Sequence, residues 1–323
     1  MKYPWRRLLG LAWLILGVAQ STSGQDFPSK PLRLIVPFPA GGGSDIVGRI
    51  LAQKLGELSG QQVVVDNRAG AGGSIGTEVA VKSAPDGYTI LLASTSEIAV
   101  NPSIYKLTYD PAKDLIPVAL VASTPMVIVT ATSLPVKNVT DLIKYARAKP
   151  GDVNAGSAGN GSFTHLAAEY FRSMNGLSWT HVPYKGAPPA LTDLAGGRIQ
   201  VMFSTLPAAM GMIKSNMIRP IAVSAQSRDG NLPEVPTVAE SGIAGYDVQY
   251  WYGIFVPAGT SRDIVAKLVD TIAQTLNAPD VIDRLAKQGA SPGALTQAQF
   301  ADYVNAEVDK WAKVVKESGA RID

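Results

Sequence analysis

Apolar and polar positions alternate along this chain in two rhythms. Short β-branched runs at 32–36, 63–65, 90–93, 126–130, 200–203 and 219–223 read as strands, and between them apolar residues recur at three- and four-residue spacing. The first such stretch places Ile46, Val47, Ile50, Leu51 and Leu55 on one face, predicting a helix over 46–58 that begins near Ser44 or Asp45. Further helices are predicted over 141–148, 164–174, 187–195 and 208–214, followed by two longer ones over 262–277 and 298–317. Thr296-Gln297-Ala298-Gln299 fits a capping box for the last helix, and Pro257-Ala258-Gly259-Thr260-Ser261 supplies a turn and cap for the one before. The alternation predicts an α/β architecture with a mostly parallel sheet.

Two junctions stand out within this rhythm. Phe38-Pro39-Ala40-Gly41-Gly42-Gly43-Ser44-Asp45 follows the first strand, and Ser157-Ala158-Gly159-Asn160-Gly161-Ser162-Phe163-Thr164-His165 precedes Leu166, Tyr170 and Phe171. Ser162 or Thr164 is placed to cap the second helix. A helix start exposes unpaired N–H groups and partial positive charge, and glycine lets a ligand approach the backbone closely. Each loop is therefore half of an anion clamp, suited to carboxylate or phosphate.

The first 24 residues carry Lys2, Arg6 and Arg7, an apolar run over 8–19, and then Ser21-Thr22-Ser23-Gly24. That is the pattern of a secretory signal peptide, and about 12 apolar residues are too few to span a bilayer. Its removal takes away three basic and no acidic residues, so the formal net charge falls from +3 to zero. A neutral mature chain without a basic tract lacks the electrostatic footprint of a nucleic-acid binder. The absence of cysteine excludes disulfides, thiolate metal sites and a cysteine nucleophile. An exported chain of about 300 residues without cysteine suits a bacterial periplasm and divides into two lobes. Strands around 124–130 and 221–227 bracket a block with its own strands and helices. The lobes are accordingly expected at 25–124 with 227–323, and at 125–226, each owning one glycine-rich loop on a shared cleft.

Several features invite other chemistry. Gly72-Gly73-Ser74-Ile75-Gly76 matches a serine-hydrolase elbow, but Asn67-Arg68-Ala69-Gly70-Ala71 separates it from the preceding strand, and 31 glycines make a chance match easy. Arg68 beside that third glycine-rich loop either meets a ligand or pairs with Asp66 or Asp86. His165 falls on a first helical turn, where it either donates to a ligand oxygen or bonds its own loop; His181 fits a strand end. Two histidines outside any His-Glu-x-x-His arrangement imply no metal, and no nucleotide fingerprint implies a cofactor. Ser94-Thr95-Ser96 and Ser204-Thr205 end strands, where ligands gather and where hydroxyls equally cap turns. Among Phe38, Tyr184, Phe203, Tyr250, Trp251 and Tyr252, only Phe38 lies inside a loop, which makes it the aromatic candidate.

Six ordered motifs carry a family resemblance. Val36-Pro37-Phe38-Pro39-Ala40-Gly41-Gly42-Gly43-Ser44-Asp45, Asn67-Arg68-Ala69-Gly70-Ala71-Gly72-Gly73, Ala84-Pro85-Asp86-Gly87-Tyr88-Thr89, Ser157-Ala158-Gly159-Asn160-Gly161-Ser162, Val182-Pro183-Tyr184-Lys185-Gly186 and Leu232-Pro233-Glu234-Val235-Pro236-Thr237 occur in sequence. From about Pro31 to the C-terminus the chain resembles the Bug family of periplasmic solute receptors, the extracytoplasmic component of tripartite tricarboxylate transporters. The resemblance implies a type II periplasmic-binding-protein fold: two hinged lobes closing, as a monomer and without catalysis, on a small carboxylate for delivery to membrane permease subunits. It points to Phe38, Gly41, Gly42, Ser44 and Asp45 on one wall and to Gly159, Asn160, Gly161, Ser162 and His165 on the other. Ser94, Ser204 and Thr205 at strand ends complete the candidate set. Many relatives carry an aspartate where this chain has Ser204, so the expected ligand is a carboxylate without an ammonium, such as an aliphatic or aromatic dicarboxylate. A sensory receptor with the same closure, and a serine hydrolase using Ser74 or Ser162, are the competing readings.

Overall fold

The first apolar run forms strand β1 (Leu32–Val36) and the amphipathic stretch after it helix α1 (Gly43–Ser59). The computed structural model describes residues 27–246 and 248–318; the expected leader, residues 1–24, lies outside them. Then come β2 (Val63–Asn67), α2 (Ser74–Val81), β3 (Thr89–Ser94), a π-helical turn at Ser96–Val100, and the short α3 (Asn101–Ile104) and α4 (Pro111–Asp114). The long β4 (Leu115–Ala131) leads to α5 (Val139–Ala148), β5 (Asn154–Ser157), α6 (Phe163–Met174) and β6 (Thr180–Pro183). After α7 (Ala187–Ala195), β7 (Val201–Thr205), α8 (Leu206–Lys214) and β8 (Ile218–Val223), the chain closes with β9 (Gln249–Pro257), α9 (Arg262–Asn277), α10 (Pro279–Lys287), β10 (Ser291–Pro292) and α11 (Gln297–Ser318).

The main sheet path is β2-β1-β3-β9-β4-β7-β5-β6, with β8 and β10 also on β4. Two parallel groups, β2-β1-β3 and β7-β5-β6, sit at the ends, and antiparallel β9 and β4 join them. Strand β4 belongs to both halves: Leu115 to Pro125 pair along β9, whereas from Met126 the strand pairs with β7 and β8. After β8 the chain stays with the second half. Val238 N donates to Val223 O at 2.9 Å, and the Tyr246 hydroxyl donates to Ala167 O at 2.9 Å, before Gln249 returns opposite Pro125.

Packing of α1 shows why the first glycine loop is rigid. Val47, Ile50, Leu51 and Leu55 are buried on the face that the spacing predicts, each contributing roughly 1.5–3 kcal/mol of burial. A Cβ at Gly48 would stand 3.2 Å from both Leu92 and Val36, so glycine lets α1 lie close on β1 and β3. The capping expectations hold as well: Thr296 and Gln299 exchange bonds of 3.0 and 3.3 Å, and Ser261 accepts from Ile264 N at 3.4 Å.

Candidate functional site

Five strand ends feed one cleft, because parallel strands in both groups deliver their carboxyl ends to the seam between the halves. Its lining comes from the β1–α1 loop (Phe38, Pro39, Gly42, Gly43, Ser44) and, from the other side, the β5–α6 loop (Ala158, Ser162, Phe163, Thr164). Ala187 at the start of α7, Thr205 at the end of β7, Ser96, and Tyr250 and Tyr252 of β9 close the ring. Four helix starts therefore meet at one cavity: α1, α6, α7 and α8. No side chain caps α1, α7 or α8; α1 keeps the amides of its first turn for a ligand, whereas Pro188, Pro189 and Pro207 leave fewer donors at the starts of α7 and α8. None of the lining residues is charged. The electrostatics of the cavity are thus those of oriented peptide dipoles, which favour an anion without competition from a fixed carboxylate.

A buried phenol adds a directed donor. Tyr252 is fully buried, and its hydroxyl faces that of Thr205 without forming a well-made hydrogen bond. Burial holds this phenol well above its usual range, with the neighbouring Tyr250 adding to the effect, so it stays protonated. A Cβ at Gly43 would lie 2.7 Å from Tyr252 OH and 2.5 Å from Thr205 Oγ1. The uncapped start of α1, the phenol and the threonine hydroxyl accordingly share one point in space. Leaving such a hydroxyl unpaired costs about 1–3 kcal/mol, which a bound acceptor would recover.

The two halves touch around this point. Tyr105 OH donates to Asn160 O at 2.5 Å, and Phe163 N donates to Ser96 Oγ at 3.1 Å. Phe163, from the start of α6, inserts between Tyr250 and Trp311, with ring centroids at 5.0 and 4.7 Å. The cleft between them retains about 30 Å³, room for about two waters.

Five of the thirteen candidate residues line the cavity, and the others stand around it. Phe38, Gly42, Ser44, Ser162 and Thr205 line the cavity. Gly159 and Asn160 line a neighbouring chamber instead. Gly41 (φ +79°) and Gly161 (φ +68°) shape the loops and do not line the cavity. Asp45 is a brace: it accepts from Gly41 N at 2.9 Å, from Arg49 Nε at 2.9 Å and from Asn67 Nδ2 at 3.1 Å. Burial alone would raise its pKa, but the bonds from Arg49, Gly41 and Asn67 outweigh that and lower it. Ser94 is buried behind the lining and bonds Glu97 and the Tyr250 hydroxyl; its neighbour Ser96 is the one that reaches the cavity. Ser204 is fully buried and donates to Thr205 O at 3.2 Å.

His165 supports its own loop. Its Nδ1 accepts from Gly161 N at 3.3 Å, and its ring stacks on His181 at 3.8 Å. His181 Nε2 shares a 2.7 Å bond with Ser157 Oγ, and burial, reinforced by His165, lowers its pKa to about 3. Arg68 pairs with Asp66 at 2.9 Å, the structural alternative of the two read from the sequence. For the hydrolase reading, Ser74 Oγ accepts from Asn101, and Ser162 Oγ accepts from the backbone N of His165 and shares a 2.9 Å bond with Thr164 Oγ1. Among the described residues no group of three or more His, Cys, Asp or Glu is placed to hold a metal. Tyr252 and Ser96, which the sequence offers only as a core aromatic and a strand-end hydroxyl, both line the cavity, and the start of α7 joins them without a sequence signal. Alternation on β9 would have put Tyr250 and Tyr252 on the face opposite Trp251.

Comparison with known proteins agrees with this geometry. The family model described as the tripartite tricarboxylate transporter family receptor matches residues 47–320. Protein BugT of Bordetella pertussis is 38% identical over 317 residues, covering 98% of this chain and 97% of that protein. An R. palustris protein solved with adipate superposes with a TM-score of 0.89 at 38% identity, covering 92% of this chain and 100% of the other. MatC from Rhodopseudomonas palustris, solved with bound malate, gives a TM-score of 0.85 at 30% identity, covering 90% and 100%. The two-lobed α/β architecture with its curled sheet is thus that of the periplasmic binding proteins. With four helix starts around an uncharged cleft and a match over most of its length, the chain belongs to the Bug-type receptors of the tripartite tricarboxylate transporter family.

Proposed function

We propose that this protein is a periplasmic receptor that closes its two lobes over a small organic acid of the dicarboxylate class and delivers it to a membrane permease, with no catalytic step. The observation that carries this reading is the convergence of α1, α6, α7 and α8 on one cavity with an unpaired, protonated Tyr252 aimed into it. One carboxylate would accept from the α1 amides and from Tyr252, while the α6 start approaches from the other lobe. The adipate and malate seen in similar proteins fit that chemistry. An ammonium would find no acidic side chain on the lining, so aspartate and glutamate are disfavoured. The chain crosses between lobes at Pro125–Met126 of β4 and again just before β9. In this reading both crossings act as the hinge. No described helix is long and apolar enough to cross a membrane.

A thermal-shift screen of the mature protein against organic acids tests the reading, because a ligand that binds only the folded state raises its melting temperature by mass action. A dicarboxylate is expected to give the largest shift. If aspartate or glutamate binds more tightly than every plain dicarboxylate, the ligand class is wrong; if no acid shifts the transition, the receptor reading falls.

A further inference from the structure

A second chamber of about 290 Å³ adjoins the cleft and shares Phe38, Pro39 and Ala158 with it. Its far walls are the glycine-rich 69–73 loop of the first half and the 183–186 turn of the second. Lys185 is the only charged residue lining either chamber. Among the described residues it forms no ion pair, whereas the nearby acid Asp193 is already engaged by Arg198 and by the Tyr184 hydroxyl, both within 2.8 Å. Tyr105, the other phenol on the chamber wall, is committed to Asn160 O. Among the described residues, Lys185 thus has no acidic partner and borders a chamber that no carboxylate lines.

The placement of Lys185 is fixed by its backbone. Tyr184 N donates to Ser157 O and Gly186 N to Ala158 O, each at 3.1 Å, which ties the turn to the same loop that starts α6. Gly186 has φ +110°, and a Cβ there would lie 2.2 Å from Pro39 Cγ, so the turn abuts the first half. Along the seam the order is therefore an inner anion site of helix starts, an apolar neck of Phe38, Pro39 and Ala158, and an outer cationic site.

We propose that the outer chamber is a second subsite that holds the distal carboxylate of an α,ω-dicarboxylate, with Lys185 as its ionic partner and the neck enclosing an unbranched apolar middle. The proposal rests on the receptor reading above. It adds that preference for a diacid over a monoacid of the same length arises at Lys185 and not at the helix starts. The inner site recognises one carboxylate on any acid. The distal charge is recognised only where an unpaired cation waits, and the exposed position of Lys185 keeps its contribution modest and salt-dependent.

Calorimetric titration of wild type, Lys185→Met and Lys185→Arg with straight-chain diacids and same-length monoacids tests this. Methionine keeps the apolar stem and removes the charge; arginine keeps the charge. Wild type is expected to prefer the diacid about two- to fivefold, Lys185→Met to lose that preference while its monoacid Kd stays within twofold, and Lys185→Arg to retain most of it. The wild-type diacid preference should also shrink as salt is raised. A diacid-to-monoacid ratio unchanged by Lys185→Met, or an equal loss for both acids, overturns the subsite while leaving the receptor reading intact. Failure of both acids to bind wild type overturns the two together.

Discussion

Replacing Tyr252 with phenylalanine separates a ligand contact from a structural one, because the two roles move stability and affinity in opposite directions. The hydroxyl is fully buried beside Gly43 and Thr205 and lacks a well-formed partner among the described protein groups. Removing an unpaired buried hydroxyl relieves about 1 kcal/mol or more of desolvation cost, since the ring itself is retained. For a chain of this length the unfolding entropy is about 2.1 cal/mol/K per residue, so 1 kcal/mol raises Tm by about 1–2 °C. In the complex the same hydroxyl would donate to a carboxylate, and a hydrogen bond to a charged group contributes about 1.5–3 kcal/mol. Its loss corresponds to a Kd weakened roughly tenfold to 150-fold. Calorimetric titration with the best acid, alongside thermal unfolding of the free protein, reads both effects. An unchanged Kd refutes the contact, and a free-protein Tm that falls several degrees shows that the hydroxyl supports the fold instead.

Three further outcomes follow from the same geometry. Gly43→Ala places a methyl 2.5 Å from Thr205 Oγ1 and 2.7 Å from Tyr252 OH, so binding should weaken more than a hundredfold in titration at a folding cost of about 1–3 kcal/mol; unaltered binding would mean that the ligand sits elsewhere. Tyr105→Phe removes the bond to Asn160 O across the seam, and a two- to tenfold faster ligand release in stopped-flow is expected, as a neutral bond of about 0.5–1.5 kcal/mol implies; an unchanged release rate would show that this contact does not hold the closed state. Burial lifts Glu97 to about 8, against the bonds it receives from Ser94, while its unfolded value lies near 4.5. The folded state therefore holds an extra proton between these values, and the stability this contributes is complete below about pH 4.5 and lost as pH rises toward 8. Glu97→Gln should flatten that decline, by up to about 1.4 kcal/mol per pH unit, in melting curves recorded from pH 5 to 8; parallel curves for variant and wild type would refute the assignment.

Much of the α/β alternation was legible because each strand and helix has one face in the core and declares its period. The strands over 32–36 and 219–223 and the helices over 187–195 and 262–277 lie where their periodicities put them. Strand β9 was not legible. Every residue from Tyr250 to Pro257 is buried, so no polar alternation marks the strand, and the aromatic run reads as core of either kind. The first part of β4 was hidden by Pro117 and Pro125, which read as breaks but fall in a strand whose register shifts past Pro117. At the site, glycine-rich loops announced α1 and α6, whereas α7 and α8 begin at proline-bearing turns without a glycine run or a side-chain cap and gave no comparable signal.

Four of the candidate residues share one arrangement. Asp45, Ser94, Ser204 and His165 are polar side chains at the right ends of the right elements, but each turns away from the cleft to bond its own backbone or a neighbour. Residue type and position identify the wall, and strand register and helix rotation decide which side chains face inward. Ser96 against Ser94, two positions apart on a chain that leaves β3 for a π-helical turn, illustrates how a local change of geometry reassigns a role.

The central claim is that peptide amides at helix starts, aided by one phenol, recognise a carboxylate. Titration of the mature protein with a straight-chain dicarboxylate and with its diamide, which matches it in length and shape but carries no charge, tests this most directly. Saturable binding of the diacid with at least a hundredfold weaker binding of the diamide is expected. Equal affinity for the two would contradict anion recognition at the cleft.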